Sequence, residues 1–337
     1  MNERDAIEST VYHDDDASLS PLDGETVAVL GYGNQGRAQA LNLRDSGVDV
    51  IVGNRADDSR ERAVDDGFPA HSLAAATERA DVVLFLIPDE VQPDVYADAL
   101  APNLDDGDAV VFASGYNVTY DFVQFDPGLD VVLVAPRMIG AVVRELYEEG
   151  RGAPALLGVH RDATGRARER ALAVAHGLGC TRSGVVETDF ETETRTDLLT
   201  EQGLLPVFVG ALVARLEVES EAGVPPAVTL LESYLSREMA YIWEKCATEG
   251  VFEQMVLHSR TSQYGQLDGL DSLDLDPIRE FMRERLDAID DGTFASEWTN
   301  EQRTGFSRFE RLRRQYADSP LQRTEQATLD AFGLRED

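Results

Sequence analysis

The sequence predicts a two-domain α/β protein in which a parallel sheet, within residues 1–186, is followed by an all-helical domain, residues 187–337. In the first half, short apolar runs alternate with amphipathic stretches, which is typical of strands joined by crossover helices. A glycine-rich turn follows the first of these runs. Beyond about Glu187 the strand-like runs give way to long segments of 3.6-residue periodicity, which indicates helices. At 337 residues the chain is long enough for two domains of ordinary size.

The candidate strands of the first half are apolar runs of five or six residues. They are Thr26–Leu30, Val48–Val52, Val82–Ile87, Ala109–Ala113, Val131–Ala135 and Ala155–Val159. Ligands of open α/β sheets bind outside the carboxyl ends of the strands. We therefore expect the corners after the third and fourth runs to contact a ligand through Pro88, Asp89 and Gly115.

The second half contains five candidate helices. They are Thr196–Ala222, Ala227–Thr248, Pro277–Ile289, Glu301–Tyr316 and Leu321–Phe332. Pro206 lies inside the first and is a candidate kink, because proline removes a backbone donor from the helix. Gly223 with Pro225 and Pro226 predicts the turn between the first two helices.

The first apolar run, TVAVL, leads into the hexapeptide GYGNQG, which consists of Gly31, Tyr32, Gly33, Asn34, Gln35 and Gly36. A lone G-x-G-x-x-G is a weak signal, but here a helical pattern follows it, which is the context that the motif requires. Gly31 would permit the tight turn, Gly33 would let the backbone approach a pyrophosphate, and Gly36 would allow close packing of helix on strand. A glycine-rich turn without a ligand is the alternative. The motif predicts a Rossmann-type βαβ unit over residues 26–60 that binds a nicotinamide dinucleotide.

The segment after the second run, VGNRADDSRER, bears on the choice between NAD and NADP. An acidic side chain there accepts hydrogen bonds from the ribose 2′-hydroxyl and repels a 2′-phosphate. Asp57 and Asp58 favour NAD(H), whereas Arg55 and Arg60 favour NADP(H). We expect NAD(H) to be favoured over NADP(H), with Arg55, Asp57 and Asp58 near the cofactor.

Three carboxylates of the helical half form a candidate Mg²⁺ site. Asp197 and Glu201 are four residues apart, so on a helix they lie one turn apart on the same face. Glu232 lies on the next helix among leucines. If the three converged between two helices, they would form a hard oxygen site suited to Mg²⁺. A solvated acidic face is the alternative, because acid pairs at this spacing are frequent in so acidic a chain.

The overall charge excludes some partners. The 63 acidic residues outnumber 30 basic ones, for a formal net charge of −33, so nucleic acid and anionic membrane are unfavourable partners. We interpret the charge as adaptation to a high-salt cytoplasm, where repulsion among surface carboxylates is screened. No run approaches the roughly 18 consecutive apolar residues of a membrane span, and the first residues lack the features of a signal peptide. We expect a cytoplasmic protein with two inert cysteines, Cys180 and Cys246.

Taken together, these residues resemble one family, the class I (short-form) ketol-acid reductoisomerases. The similarity begins at VYHDDDASLSPLDGETVAVLGYGNQG and continues through DVVLFLIPDE, ETRTDLLTEQ, the Glu232 helix and HSRTSQYG, in the family's order. The resemblance implies a Rossmann domain followed by a knotted helical domain that forms most of a homodimer interface or part of a larger homo-oligomer. It also implies alkyl migration in a Mg²⁺-bound 2-acetohydroxy acid, followed by reduction of the resulting 2-keto acid by NAD(P)H.

The resemblance also assigns site residues. Asp197 matches the carboxylate that bridges two Mg²⁺ ions, Glu201 a ligand of the first ion and Glu232 a ligand of the second. Ser259 matches a serine that contacts the substrate. Some polar positions depart from the family, which has histidine at Ser114, lysine at Arg137, and glutamate at Ser236 and at Gln263. We count Ser114 and Arg137 among the candidate catalytic residues. Because of these departures, the sequence does not decide whether the site binds one Mg²⁺ ion or two.

Three functions are therefore weighed. The first is a ketol-acid reductoisomerase of valine and isoleucine biosynthesis. The second is a relative that only reduces a 2-keto acid, another carbonyl or an imine, because hydride transfer needs one Lewis acid and the alkyl shift two. The third is a cofactor-binding protein without turnover, which the retained Asp197, Glu201, Glu232 and Ser259 disfavour.

Overall fold

The computed structural model describes residues 9–335 and divides the chain into two compact units. The first unit ends at Thr196 and the second begins at Asp197. The boundary that the sequence predicted, after residue 186, lies before this junction, inside the last strand of the first unit.

A nine-stranded sheet forms the centre of the first unit. Its strands are β1 (Val11–Tyr12), β2 (Thr26–Leu30), β3 (Asp49–Gly53), β4 (Ala70–His71), β5 (Val82–Phe85), β6 (Ala109–Phe112), β7 (Asp130–Pro136), β8 (Ala155–Arg161) and β9 (Val185–Thr188). Their spatial order is β1-β9-β8-β7-β6-β5-β2-β3-β4. All six predicted strands are confirmed, with ends that differ from the prediction by at most two residues. The chain order reverses between β2 and β5, and a switch point of this kind is where such sheets bind ligands.

The predicted parallel sheet is confirmed for six neighbouring strands, and the sheet is mixed at one side. Strand β7 pairs with β8 antiparallel, and β1 pairs with β9 antiparallel, whereas β4, β3, β2, β5, β6 and β7 are mutually parallel. The connection from β7 to β8 contains one short helix, and apolar runs alone do not encode strand direction. The switch point is in the parallel part, so the correction leaves the expected binding edge unchanged.

Helices cover both faces of the sheet. They are α1 (Asn34–Asp45), α2 (Asp58–Asp65), α3 (Leu73–Thr77), α4 (Gln92–Val95), which a π-turn continues over Tyr96–Leu100, α5 (Tyr116–Thr119), α6 (Gly140–Glu148) and α7 (Ala167–Gly177). Two buried apolar clusters result, one on each face. Interior strands such as β5 and β6 are buried along their whole length, which accounts for their continuous apolar sequences.

The second unit is helical, as predicted. Helix α8 (Phe190–Leu199) leads into it, and α9 (Leu205–Glu221), α10 (Pro226–Leu230), α11 (Glu238–Glu249), α12 (Arg260–Ser272), α13 (Asp276–Asp290), α14 (Thr293–Arg303), α15 (Ser307–Ala317) and α16 (Pro320–Phe332) follow. A π-turn over Thr200–Leu204 joins α8 to α9, and a second over Leu231–Leu235 continues α10. The knot in this unit stays a prediction.

Two helices predicted as continuous are broken. The segment Ala227–Thr248 is interrupted at Arg237, and Glu301–Tyr316 is interrupted between α14 and α15 at Phe306. Both residues have left-handed backbone, with φ of 65° and 60°. The predicted kink at Pro206 takes the form of the π-turn over Thr200–Leu204, which comes just before it. This wider turn accommodates Pro206, which has no backbone N–H group to donate.

Many large apolar side chains of the second unit are exposed. The buried apolar residues of 197–335 are few, namely Leu198, Leu216, Leu230, Ile289 and Ala295. The continuous helix Phe190–Glu221 contains an 18-residue window that is long and apolar enough to cross a membrane, with mean hydropathy 1.4 and only 6% of the window buried. Composition alone does not separate a membrane span from a face that another protein surface covers. Contiguous exposed apolar surface on soluble proteins is typical of protein interfaces.

Candidate active site

The backbone of the glycine-rich turn has the geometry of a phosphate loop. Gly31 follows β2 with φ of 94°, a conformation that favours glycine. A Cβ atom at Gly36 would lie 1.8 Å from the Gly31 carbonyl oxygen, so only glycine lets α1 start so close to β2. A Cβ atom at Gly33 would meet nothing within 4 Å. The space beside Gly33, at the N-terminus of α1, therefore fits a pyrophosphate approaching the backbone.

The side chains of this loop are tied to the protein. The Asn34 Oδ1 atom accepts a hydrogen bond from the Ala141 N–H (3.1 Å), and the Gln35 amide donates to the Met138 carbonyl (2.8 Å). Tyr32 is 1% exposed and its hydroxyl donates to Asp66 (2.8 Å). Burial, and then this hydrogen bond, raise the pKa of Tyr32. Its side chain therefore belongs to the core, and a dinucleotide can meet these three residues through backbone atoms.

The corner after β3 is organised by Asp57. Its Oδ1 atom caps α2 by accepting hydrogen bonds from the N–H groups of Ser59 (3.1 Å) and Arg60 (3.2 Å). Its Oδ2 atom binds Arg55 Nε at 2.7 Å. The Arg55 hydrogen bond, with these backbone N–H groups, lowers the pKa of Asp57. Asp58 is the first residue of α2 and is exposed. Asp57 is thus a structural cap as well as a candidate ribose ligand.

The corners after β5 and β6 are linked to each other. Pro88 and Asp89 follow β5, and the Asn117 amide donates both to the Asp89 carbonyl (3.0 Å) and to the Gln92 amide oxygen (2.9 Å). Ser114 and Gly115 follow β6, and the Ser114 hydroxyl lies 3.4 Å from the Tyr116 nitrogen. The structure therefore places Gly31, Pro88, Asp89, Ser114 and Gly115 along one edge of the parallel strands, as predicted.

Glu193, a residue that sequence reasoning missed, holds this edge to α8. One carboxylate oxygen accepts a hydrogen bond from the Gly115 N–H (2.7 Å), and the other forms an ion pair with Arg137 Nη1 (3.0 Å). The Glu193 side chain is 1% exposed and that of Arg137 35%. A Cβ atom at Gly115 would lie 2.5 Å from the Phe190 carbonyl oxygen, so glycine is required for α8 to approach. Arg137 is therefore a partner of a buried carboxylate at the candidate site.

The three predicted metal ligands lie in the second unit. Asp197 is near the end of α8, and Glu201 and Glu232 lie in the two π-turns. Such turns occur frequently at functional sites, because they change the direction of a side chain within a helix. Within residues 9–335, however, no three His, Cys, Asp or Glu side chains are placed to hold a metal ion. The expected convergence of all three in one chain is not found, and their assignment as ligands stays a prediction.

Ser259 is the N-cap of α12. Its hydroxyl accepts a hydrogen bond from the Ser262 N–H (3.3 Å), and the residue is exposed. Ser236 is also exposed, directly before the left-handed Arg237. Neither serine is buried among other candidate site residues of its own unit.

Comparison with known proteins identifies the family. Residues 21–184 match the family model described as acetohydroxy acid isomeroreductase, NADPH-binding domain, and residues 190–332 match that described as ketol-acid reductoisomerase, C-terminal domain. The chain belongs to the ketol-acid reductoisomerase family. The resemblance inferred from the motifs is thereby confirmed over nearly the whole sequence.

Individual relatives cover almost the whole chain. A ketol-acid reductoisomerase (NADP(+)) of Pyrobaculum calidifontis is 43% identical over 319 residues, which are 93% of this chain and 95% of the relative. That of Methanopyrus kandleri is 41% identical over 328 residues, 97% and 99% of the two chains. The solved structure of an NADH-preferring ketol-acid reductoisomerase from an uncultured archean matches with a TM-score of 0.88 and 34% identity, covering 94% of this chain and 98% of that one.

Proposed function

We propose that this member of the ketol-acid reductoisomerase family converts 2-acetohydroxy acids by alkyl migration and reduction with NAD(P)H. The observation that carries the proposal is the phosphate loop at Gly31–Gly36 in the same chain as the acid pair Asp197 and Glu201. Both halves match the family. A nicotinamide dinucleotide supplies hydride, and Mg²⁺ supplies a Lewis acid that polarises substrate oxygens.

The residues of the first unit would bind and orient the dinucleotide. Backbone N–H groups at the start of α1 would hold the pyrophosphate, and the open space at Gly33 would admit it. The edge formed by Ser114 and Gly115 would face the nicotinamide half. The Glu193 carboxylate fixes the backbone of Gly115, and the partly exposed Arg137 keeps a positive charge there that suits an anionic substrate.

The residues of the second unit would hold Mg²⁺. Asp197 and Glu201 provide hard oxygen ligands of the kind that Mg²⁺ prefers, together with water. Among residues 9–335 these carboxylates do not gather in a group of three, and in this proposal Glu232 would reach the ion from a second copy of the chain. Ser259, exposed at the start of α12, would meet the substrate in the same way.

Reduction without alkyl migration is the second candidate. The turn after Glu232 offers Ser236 and Arg237, a hydroxyl and a cation, where a second carboxylate could have joined Glu232 in holding another ion. A site with one Mg²⁺ would still assist hydride transfer to a 2-keto acid.

A substrate comparison separates the two candidates. The purified protein in high salt with Mg²⁺ and NADH or NADPH is incubated with 2-acetolactate or with 3-hydroxy-3-methyl-2-oxobutanoate, and cofactor oxidation is followed. Turnover of both supports the reductoisomerase, and turnover of the second alone overturns it in favour of the reductase. Glu201→Gln should abolish the Mg²⁺-dependent reaction, whereas Glu191→Gln, at an exposed position of α8, should leave it unchanged.

We further propose that NADH is the preferred cofactor. Arg55 pairs with Asp57, and the Arg60 guanidinium donates to the Ala70 carbonyl (3.2 Å), so neither cation is fully available to a 2′-phosphate. Asp57→Asn keeps the cap acceptor but removes the charge. It should raise the NADPH to NADH ratio of kcat/KM about three- to tenfold. Asp65→Asn, at the far end of α2, is the control, and an unchanged ratio in Asp57→Asn contradicts this assignment.

We propose that the protein acts in the cytoplasm as a homodimer or larger homo-oligomer. The long helix Phe190–Glu221 exposes Leu205, Phe208 and Val209, which a second copy would cover. Val209→Glu should reduce the molar mass in solution, measured by light scattering in high salt, and should also lower activity. Glu217→Gln on the same helix is the control. A wild-type monomer with full activity would refute the assembly and the shared metal site.

A further inference from the structure

A buried tyrosine beside the candidate nicotinamide site has an unused hydroxyl. Tyr116 follows Gly115 at the start of α5 and is 8% exposed. Its hydroxyl oxygen is shielded from solvent and has no hydrogen-bond partner among the residues that the structure describes. A buried polar atom left without a partner destabilises the folded state. Such a group in a native protein calls for a partner that is absent from the free chain.

Two aromatic rings pack against Tyr116. Its ring packs edge-on against Tyr120 (centroids 5.1 Å apart) and in a tilted arrangement against Phe122 (5.8 Å). Burial, followed by the nearby Tyr120 and Asp89, raises the pKa of Tyr116. The hydroxyl therefore keeps its proton at any physiological pH and can act as a donor.

The position of Tyr116 in the sheet indicates which ligand group it would meet. The spatial order β6-β5-β2-β3 places the corner after β6 two strands from the phosphate loop, which is about 10 Å at usual strand spacing. The adenosine half of a dinucleotide extends toward the corner after β3, where Asp57 lies. The nicotinamide half then extends in the opposite direction, toward the corners after β5 and β6.

The cluster around Tyr116 can open on the side of Phe122. Phe122 is 36% exposed, and it follows Asp121, whose backbone is left-handed with φ of 54°. Displacing a ring at the surface costs less buried apolar area than displacing one in the core. A ligand can therefore reach the hydroxyl without disruption of the sheet.

We propose that the Tyr116 hydroxyl donates a hydrogen bond to the carboxamide oxygen of the bound nicotinamide and thereby positions the ring for hydride transfer. This inference rests on the proposed dinucleotide-dependent function. The Tyr116 hydroxyl then lacks a hydrogen-bond partner in the free protein and has one in the complex. Removal of the hydroxyl should therefore not lower the stability of the free protein, but it should weaken binding of the dinucleotide.

The test compares Tyr116→Phe with wild type by calorimetric titration of the full chain in high salt. The probes are NADH, NADPH and ADP-ribose, which lacks nicotinamide. The variant should be at least as thermally stable as wild type, because it removes an unpaired hydroxyl. Its Kd for the preferred reduced dinucleotide should rise about tenfold, which corresponds to one hydrogen bond. Its Kd for ADP-ribose should not change.

Tyr96→Phe is the matched control, since Tyr96 is a buried tyrosine of the same unit that packs against Phe125 on the face of the sheet. It should leave both affinities unchanged. Equal NADH affinity of wild type and Tyr116→Phe overturns the inference, as does an equal loss of NADH and ADP-ribose binding, which would indicate a structural role. Failure of wild type to bind any of the three probes overturns the proposed function as well.

Discussion

Glu193 illustrates how one side chain can organise a site without touching the ligand. Its two carboxylate oxygens fix the Gly115 backbone and the Arg137 side chain, and Asp197 follows one helical turn later. Glu193 therefore anchors the start of the helix that carries the candidate metal ligand Asp197 to the cofactor edge of the first unit. Sequence reasoning could not select Glu193, because the segment ETDFETET offers four glutamates and aspartates within a few residues of each other and burial is not encoded locally.

Glu193→Gln should destabilise the protein. The amide can still accept the Gly115 hydrogen bond, but the ion pair between positions 193 and 137 loses its negative charge. We expect a loss of about 1–3 kcal/mol, at the lower end because Arg137 is partly exposed. Denaturant unfolding in high salt measures it. Glu191→Gln, at an exposed position of the same helix, should change the free energy of unfolding by less than about 0.5 kcal/mol. Equal stability of both variants would contradict this role.

Asp108 predicts a local dependence of stability on pH. Burial, together with Asp105 and Asp81, raises the pKa of Asp108 to about 6 from 3.8. Between these two pH values the Asp108 carboxyl is protonated in the folded state and ionised in the unfolded state. The contribution of Asp108 to the free energy of unfolding is therefore full below about pH 4 and is lost as pH rises through about 6.

Asp108→Asn should remove this dependence while keeping the acceptor for the Asp105 N–H (2.8 Å). The stability difference between variant and wild type should therefore grow between pH 4 and 6.5, and at pH 7.5 the variant should melt about 2–4 °C higher. Thermal scans across this range measure the difference. Asp106→Asn in the same turn is the control. A difference that does not change with pH would refute the assignment.

At the scale of elements, two glycines of the phosphate loop have different roles: Gly36 allows close packing of α1 on β2, and Gly33 leaves space for the pyrophosphate. Gly36→Ala places a methyl group 1.8 Å from the Gly31 oxygen and should disrupt folding of the βαβ unit. Gly33→Ala meets nothing within 4 Å, so the protein should fold normally. Its methyl group would occupy the pyrophosphate space and should raise the Kd for NADH at least tenfold. Circular dichroism and NADH titration distinguish the two. A Gly33→Ala variant with normal affinity would place the pyrophosphate elsewhere.

The elements that sequence predicted well are those with strong periodicity. The β2 strand was predicted to the residue, because an apolar run ends at a glycine turn there, and α13 and α16 differ from prediction by a residue at most at each end. Breaks without such punctuation were missed. Arg237 interrupts a helix with no glycine or proline beside it, whereas the break at Phe306 had a signal in the preceding Gly305.

The parts of the candidate site that are contiguous in sequence could be predicted, whereas the parts that depend on the packing of distant segments could not. The loop at Gly31–Gly36 is contiguous, so its glycines could be assigned individually. Asp57 was correctly placed at the β3 corner, but its role as a helix cap depends on where α2 begins. Asp197, Glu201 and Glu232 were expected to converge but do not form a group of three among residues 9–335, because helix packing decides their separation and periodicity does not encode packing.

For the whole molecule, the net charge of −33 predicts a dependence on salt. Repulsion among surface carboxylates acts over about 10 Å at 0.1 M salt and about 3 Å at 1 M. The melting temperature should therefore rise markedly between 0.1 M and 2 M KCl. Sucrose at equal osmolality is the control, since it stabilises by exclusion without screening charge. Full stability and activity at 0.1 M KCl would contradict adaptation to a saline cytoplasm.

The hydrogen bonds between the phosphate loop and the start of α6 affect when the loop can form during synthesis of the chain. Asn34 is held by Ala141 and Gln35 by Met138, and a Cβ atom at Gly140 would lie 2.1 Å from the Asn34 oxygen. The loop therefore cannot reach its final form on the ribosome until residues more than a hundred positions later have emerged. At ordinary translation rates this delay is roughly 5–20 s. A nascent chain released before then would carry the complete glycine motif without a cofactor site.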